Sequence, residues 1–399
     1  MCLLKIFLPC LMRHIITIME NKSKKRVDDI LSNRMPDRPA LGFFAIDSDT
    51  ASKVLGRETY WRAKAKCQLA FWDGRHDEVI QSWIQDGIEL YKKLDIIDMI
   101  PVCVMAAGVA PPKDPSQIPP RKIDANTWED KQGCVYKYSE QTKDITMIYD
   151  PGIWNRNCSV ENEVWDGTIE EPDNLTFKAA DAIIAEFKDK RFVIGPSAGE
   201  NAWLLLGGME RGLVEIASRP DDIKKIYDSQ IEKAIAHDKF YIRPGQHAVM
   251  GGEDLACSTG PLINPEMYRK IFLLGFKKRL DAFKQKGQPF FKHCCGDTRK
   301  LLDIFVEVGI DCYQSIQTSA GMDIVEVQKK YHDKFAVWGG VNVENLIGGT
   351  TEDVRKDVRR VMTEAAPNGR FILGTTHSVA VGTKYDNFMA MLDEFCKWI

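Results

Sequence analysis

The residues best suited to chemistry lie in one short run, Gln288-Pro-Phe-Phe-Lys-His293-Cys294-Cys295-Gly296-Asp297. It reads as a buried strand running into a glycine turn. Alternate side chains of a strand share a face, so His293 and Cys295 point one way and Cys294 the other. An imidazole and a thiolate placed like this can reach the same metal ion. Zinc takes such a nitrogen–sulfur pair at ~2.0–2.3 Å. A core strand that simply buries free cysteines is the plainer alternative; the rest of the chain favours the metal.

The elements that must position this run recur along the chain. Apolar runs of strand length occupy residues 40–46, 95–102, 191–196, 247–254, 289–295, 311–316, 335–340 and 370–375. Helical spacing of apolar residues predicts helices over 59–93, 174–189, from Trp203 to Ala217, and over 219–238, 264–286, 297–308, 321–332, 351–366 and 384–398. Strands alternating with helices imply a parallel sheet. Eight such units close into an α/β fold of the (β/α)8 TIM-barrel kind. An open doubly wound sheet is the alternative, but no Gly-x-Gly-x-x-Gly follows an early strand. Residues 1–38 read as an N-terminal extension with a short charged helix, and 39–399 as one barrel domain. An insertion after the second strand, at about 103–175, breaks the rhythm with Ala110-Pro-Pro and Ile118-Pro-Pro. Within it, Cys134-Val-Tyr-Lys-Tyr and Ile145-Thr-Met-Ile-Tyr alternate as a hairpin. The insertion is expected to cover one end of the barrel.

Such barrels carry their active sites at the C-terminal ends of the strands. Those ends offer Asp47, Asp49, Asp98, Ser197, Glu200, Glu253, Asp254, His293, Cys295, Gln314, Gln317, Asn342, His377 and Ser378. His293 and Cys295 are the expected metal ligands, with His377 or Glu253 beside them. Glu253, Asp254 and His377 are candidates for acid–base work. Asn342 and Gln314 are candidates for cofactor contacts, and Asp47, Ser197, Glu200 and Gln317 for substrate contacts. Several have structural readings too. Asp47 and the Glu253–Asp254 pair suit helix caps, His377 suits a backbone hydrogen bond, and the two glutamines suit polar lining. Cys103, Cys134, Cys158, Cys257, Cys312, Trp203 and Trp338 are expected to pack.

Composition excludes some classes. A formal charge of −3 over 399 residues gives no basic field for nucleic acid. The 11 cysteines show no paired framework, which points to a reducing cytoplasm with thiols free or on metal. The apolar run from Met1 to Met19 is interrupted by Lys5 and Pro9 and lacks a positive start and a small-x-small cleavage site. It is also shorter than the ~20 apolar residues that span a membrane. It reads as an over-long start, with Met19 as the true one, and no membrane span is expected elsewhere.

Six segments carry a family resemblance. They are Gly195-Pro followed by Trp203, Gly251-Gly-Glu-Asp-Leu, Gly260-Pro-Leu-Ile-Asn-Pro-Glu-Met-Tyr268, His293-x-Cys295-Gly296-Asp, Val337-Trp-Gly-Gly340, and Phe371-Ile-Leu-Gly-Thr-Thr-His377. Together they resemble the uroporphyrinogen decarboxylase superfamily, well from residue 190 onward and loosely before it. The resemblance implies a (β/α)8 barrel. The decarboxylase branch grips its polycarboxylate substrate with an Arg-Gln-Ala-Gly-Arg run at the end of the first strand. Here that place reads Phe-Phe-Ala-Ile-Asp-Ser-Asp, residues 43–49. Arg57 and Arg75 are the nearby cations that a loop could bring in. The other branch comprises corrinoid-dependent methyltransferases, whose zinc site uses a His-x-Cys-Gly that His293 and Cys295 reproduce. Their further cysteine lies near the position of His377; a histidine there also resembles the decarboxylases, so the third ligand stays open. The resemblance thus implies a zinc-dependent methyltransferase. It would move a methyl group between a small thiol or methylated compound and a corrinoid (methylcobalamin), carried by a partner protein because the chain has no cobalamin signature. A uroporphyrinogen decarboxylase-type lyase and a non-catalytic barrel are the competing readings.

Overall fold

A computed structural model describes residues 22–102, 107–196 and 199–399. The Met1–Met19 run, Cys103 and Ser197 lie outside them. Eight parallel strands form a (β/α)8 barrel: β1 (Ala40–Leu41), β2 (Met99–Pro101), β3 (Phe192–Gly195), β4 (Ala248–Gly251), β5 (Phe290–Cys294), β6 (Cys312–Ser315), β7 (Ala336–Val341) and β8 (Phe371–Thr375). Neighbours in sequence pair from β2 round to β8, and β8 pairs with β1. The seam between β1 and β2 is joined by a parallel bridge at Gly42 and Met99. There the Asp98 N–H also donates to the Leu41 carbonyl at 2.8 Å.

The strands are apolar runs because both of their faces are covered. Phe192, Ile194, Ala248, Met250, Phe291, Cys312, Ala336, Trp338 and Ile372 fill the interior. Their alternates, among them Val193, Val249, Phe290, Cys294, Tyr313 and Val337, pack on the helices. The Trp338 indole N–H donates to the Gly42 carbonyl at 2.9 Å, which ties β7 across to β1.

Element boundaries differ from the sequence reading at many ends, and four of the differences bear on the placement of candidate residues. The first strand stops at Leu41, and helix Ser48–Leu55 follows a short loop. The stretch 59–93 divides into helices Lys64–Trp72 and His76–Lys93, separated by Gly74 at φ 73°. The helix expected from Trp203 starts only at Met209, after Gly207 and Gly208 with φ of 76° and 92°. Trp203 therefore sits on a loop, where it is buried. Asp98 stands before β2, not after it, at the opposite end of the barrel from the expected site. It accepts from Arg26 at 2.9 Å, from Arg38 at 2.7 Å and from the Leu41 N–H at 2.9 Å. Helix Ser23–Leu31 lies across that end, and its Val27 and Ile30 join the interior core.

The insertion contains a four-stranded antiparallel sheet of Arg121–Lys122, Thr127–Glu129, Val135–Ser139 and Asp144–Tyr149. The turn between its last two strands reaches the C-terminal face, where Gln141 and Thr142 line the main cavity. The Ala65 N–H tethers this turn through the Lys143 carbonyl at 3.2 Å. All described cysteines are free; Cys134, Cys158 and Cys312 are buried, but Cys257 is exposed and not a packing residue. Among the described residues no helix is long and apolar enough to cross a membrane.

Candidate functional site

The alternation of β5 places Phe291 and His293 on the interior side and Cys294 on the helix side. The Cys294 thiol accepts from the Leu255 N–H at 3.3 Å, out of the barrel. Just past the strand, Gly296 turns the chain at φ 84°, and a Cβ there would come within 2.7 Å of the Cys257 carbonyl. That turn is fixed from two sides. Asp254 accepts from the Cys295 N–H at 3.0 Å, and Gln317 from the Gly296 N–H at 2.9 Å. On the far side of the mouth, His377 follows β8. One ligand atom from each of His293, Cys295 and His377 lies within 4.8 Å of the others.

The imidazole of His293 is held on several sides. Its Nδ1 is hydrogen-bonded to the Gln314 side-chain oxygen. Phe44 stacks on the ring at 4.1 Å and 9°, and His377 meets it edge-on at 5.4 Å. The carboxylate of Asp254 lies 3.9 Å from its Nε2. Burial, then the neighbouring His377, pushes the His293 pKa down. Burial likewise lowers His377. Both rings thus keep a lone pair at neutral pH. Burial, then Asp254, pushes the Cys295 thiol up to about 12. A divalent cation reverses that balance by favouring the thiolate. Two imidazoles and a thiol are borderline donors that suit zinc, so this donor set fits the ion.

Beneath the mouth lies a buried polar hub. Lys292, between Phe291 and His293, is 0% exposed. Its ammonium reaches the Glu200 carboxylate at 2.6 Å and the carbonyls of Glu253 and His293 at 2.5 and 2.8 Å. Burial pushes Glu200 up to about 7 despite that lysine. The Glu253 carboxylate accepts from the N–H groups of Asn201 and Ala202 at 3.0 and 2.9 Å. It is absent from the cluster of ligand atoms.

A cavity of about 750 Å³ opens over these groups. Asp47, Glu200, Glu253, His293, His377 and Ser378 line it. Asp47 occupies the N-cap position of helix Ser48–Leu55 but makes no cap hydrogen bond; instead it accepts from Arg62 Nε at 2.9 Å. Asp254 is exposed beside the cavity. Gln314 and Gln317 bind His293 and the Gly296 turn, as above. Asn342 is not among the residues that line the cavity; its side-chain amide and its backbone N–H donate to Asp357 at 3.4 and 3.0 Å. Arg57 is occupied by Asp86 and Glu89, and Arg75 by Asp73 and Glu78. The cations that do line the cavity are Arg62 and Lys64.

Sequence reasoning missed Phe44, Arg62, Lys64 and Lys292. Lys292 alone left a signal, because a lysine inside an apolar core strand needs a buried partner. Arg62 pairs with a residue 15 positions away, which no local pattern shows.

Three comparisons place the chain among known proteins. Residues 178–398 match the family described as uroporphyrinogen decarboxylase (URO-D). A methylated-thiol–coenzyme M methyltransferase from Methanosarcina mazei is 28% identical over 189 residues, 46% of this chain and 47% of that protein. The match therefore spans about half of that relative's length. A solved structure described as a methyltransferase from Methanosarcina mazei aligns with a TM-score of 0.64 over 94% of this chain and 98% of that one. At 12% identity that likeness concerns the fold.

Proposed function

The chain belongs to the uroporphyrinogen decarboxylase (URO-D) family, and from that membership we propose that it is a zinc-dependent methyltransferase. It exchanges a methyl group between a small substrate, a thiol or a methylated compound, and a corrinoid on a partner protein. The observation that carries this reading is the convergence of His293, Cys295 and His377 at the barrel mouth. The 28% identical methylated-thiol–coenzyme M methyltransferase supports the reaction class.

The chain's own residues divide the work. His293, Cys295 and His377 hold the ion. Asp254 and Gln317 fix the turn that presents Cys295. Phe44 covers one face of His293 and keeps water from it. Bound there, zinc would lower the pKa of a thiol or polarise the heteroatom of a methyl donor. The end of the first strand speaks against the decarboxylase reading, because Asp47 neutralises Arg62 where a polycarboxylate would need free cations.

The test begins with metal analysis of the purified protein and of His293→Ala. A zinc ion per chain that is lost in the variant is expected. Methylcobalamin with candidate thiols, and cob(I)alamin with methylated compounds, are then assayed for methyl transfer. Conversion of uroporphyrinogen to coproporphyrinogen that survives His293→Ala would overturn the proposal.

A further inference from the structure

We infer that Gln314 is a positioning residue that fixes the tautomer of His293, leaving Nε2, the nitrogen 3.9 Å from the Asp254 carboxylate, without a proton and open to a metal ion. The inference rests on the metal reading above for its purpose, but not for its geometry.

The argument follows hydrogen-bond polarity. A backbone carbonyl only accepts, so the Thr375 carbonyl must face the NH2 end of the Gln314 amide, which donates to it at 3.2 Å. The oxygen end of Gln314 then faces His293 Nδ1, with which it is hydrogen-bonded. An oxygen there requires a proton on Nδ1. In a neutral ring the other nitrogen, Nε2, is then a lone pair. An imidazole free in water prefers the opposite tautomer, so the surroundings must impose this one. Gln314 is fully buried, so bulk solvent reaches neither end of its amide and each end depends on its protein partner. Phe44 fixes the ring plane by stacking but does not distinguish its two nitrogens.

The barrel keeps room for this arm. Gln314 on β6 reaches past β7 to Thr375 on β8. At that level β7 carries Gly339, where a Cβ would lie 2.9 Å from the Ser315 carbonyl oxygen and 3.7 Å from that of Thr375. A side chain at 339 would crowd the carbonyl that Gln314 uses. Gln314 therefore links the strand before Cys295 to the strand before His377, and sets which nitrogen of His293 carries the lone pair.

The experiment is a long-range 15N–1H correlation spectrum of metal-free protein labelled at histidine, with His293→Gln to assign the signal. The wild type is expected to show the Nδ1–H tautomer. Gln314→Leu is expected to shift it to Nε2–H, and Gln314→Glu, which keeps the acceptor, to retain Nδ1–H. Zinc affinity by chelator competition should fall roughly 10–100-fold in Gln314→Leu and less in Gln314→Glu. An Nε2–H signal in the wild type overturns the inference by itself, even if no variant folds. So does an unchanged tautomer in Gln314→Leu. If the wild type shows Nδ1–H but takes up no zinc, the positioning role stands and the metal reading fails.

Discussion

Glu200 and Glu253 hold each other's loops. The Glu253 N–H donates to the Glu200 carboxylate at 2.5 Å, and the Glu253 carboxylate accepts from the two N–H groups that follow Glu200. The loops after β3 and β4 are thereby locked together beside the cavity. Arg279 and Tyr227 fasten the same segment from behind, through the carbonyls of Glu200 and Asn201 at 2.9 and 2.7 Å.

Glu253→Ala should therefore loosen the loop without emptying the proposed metal site. Hydrogen bonds to a charged group contribute about 1.5–3 kcal/mol. A loss of that order in urea unfolding, with zinc content unchanged, is the expected result. Loss of zinc at unchanged stability would make Glu253 a ligand instead.

Cys295→Ser and Cys294→Ser should separate cleanly. The first removes a candidate ligand, and the second a thiol packed among the helices. Zinc stoichiometry is expected to fall in the former and hold in the latter. Equal retention in both would remove Cys295 from the site.

Lys292→Met should destabilise the protein strongly, because it leaves the Glu200 carboxylate buried and unpaired. Breaking one side of a buried pair costs about 3–5 kcal/mol. Adding Glu200→Gln should restore part of this, and denaturant midpoints of the two variants give the comparison. An additive double variant would mean that the two side chains are not coupled.

Acid should weaken the fold through His247. Burial holds this imidazole at about 4, below its ordinary 6.5, and its Nδ1 accepts from the Val193 N–H at 2.9 Å. The unfolded chain takes up a proton first on acidification. The contribution of His247 is thus whole above 6.5 and drains away as pH falls toward 4. His247→Asn keeps an acceptor and cannot titrate, so its stability should fall less steeply across that window. Parallel profiles would rule out this histidine as the cause.

The barrel was legible because eight apolar runs alternate with helical stretches, and the His293–Cys295 face because a strand has a period of two. Other features were hidden for physical reasons. Asp98 was placed at the wrong end because the strand is only Met99–Pro101, and a carboxylate before a short strand looks like one after it. The partner of Lys292 comes from a loop 92 residues earlier, at Glu200, so its burial had no local explanation. Gln314 looked like a cofactor contact because its type and strand-end position are the same whether it touches a ligand or a ligand's neighbour.

Helix Ser23–Leu31 stoppers the far end of the barrel, with Val27 and Ile30 in its bore and Arg26 bolted to Asp98. Among the described residues the cavity over His293 then opens on the mouth side only. Under the proposed function, a small substrate and a protein-borne corrinoid must share that single doorway. The larger guest blocks it, so the smaller has to be seated first and cannot leave until the larger has withdrawn. A fixed order of arrival and departure follows from a plug at the opposite end of the barrel that touches neither guest.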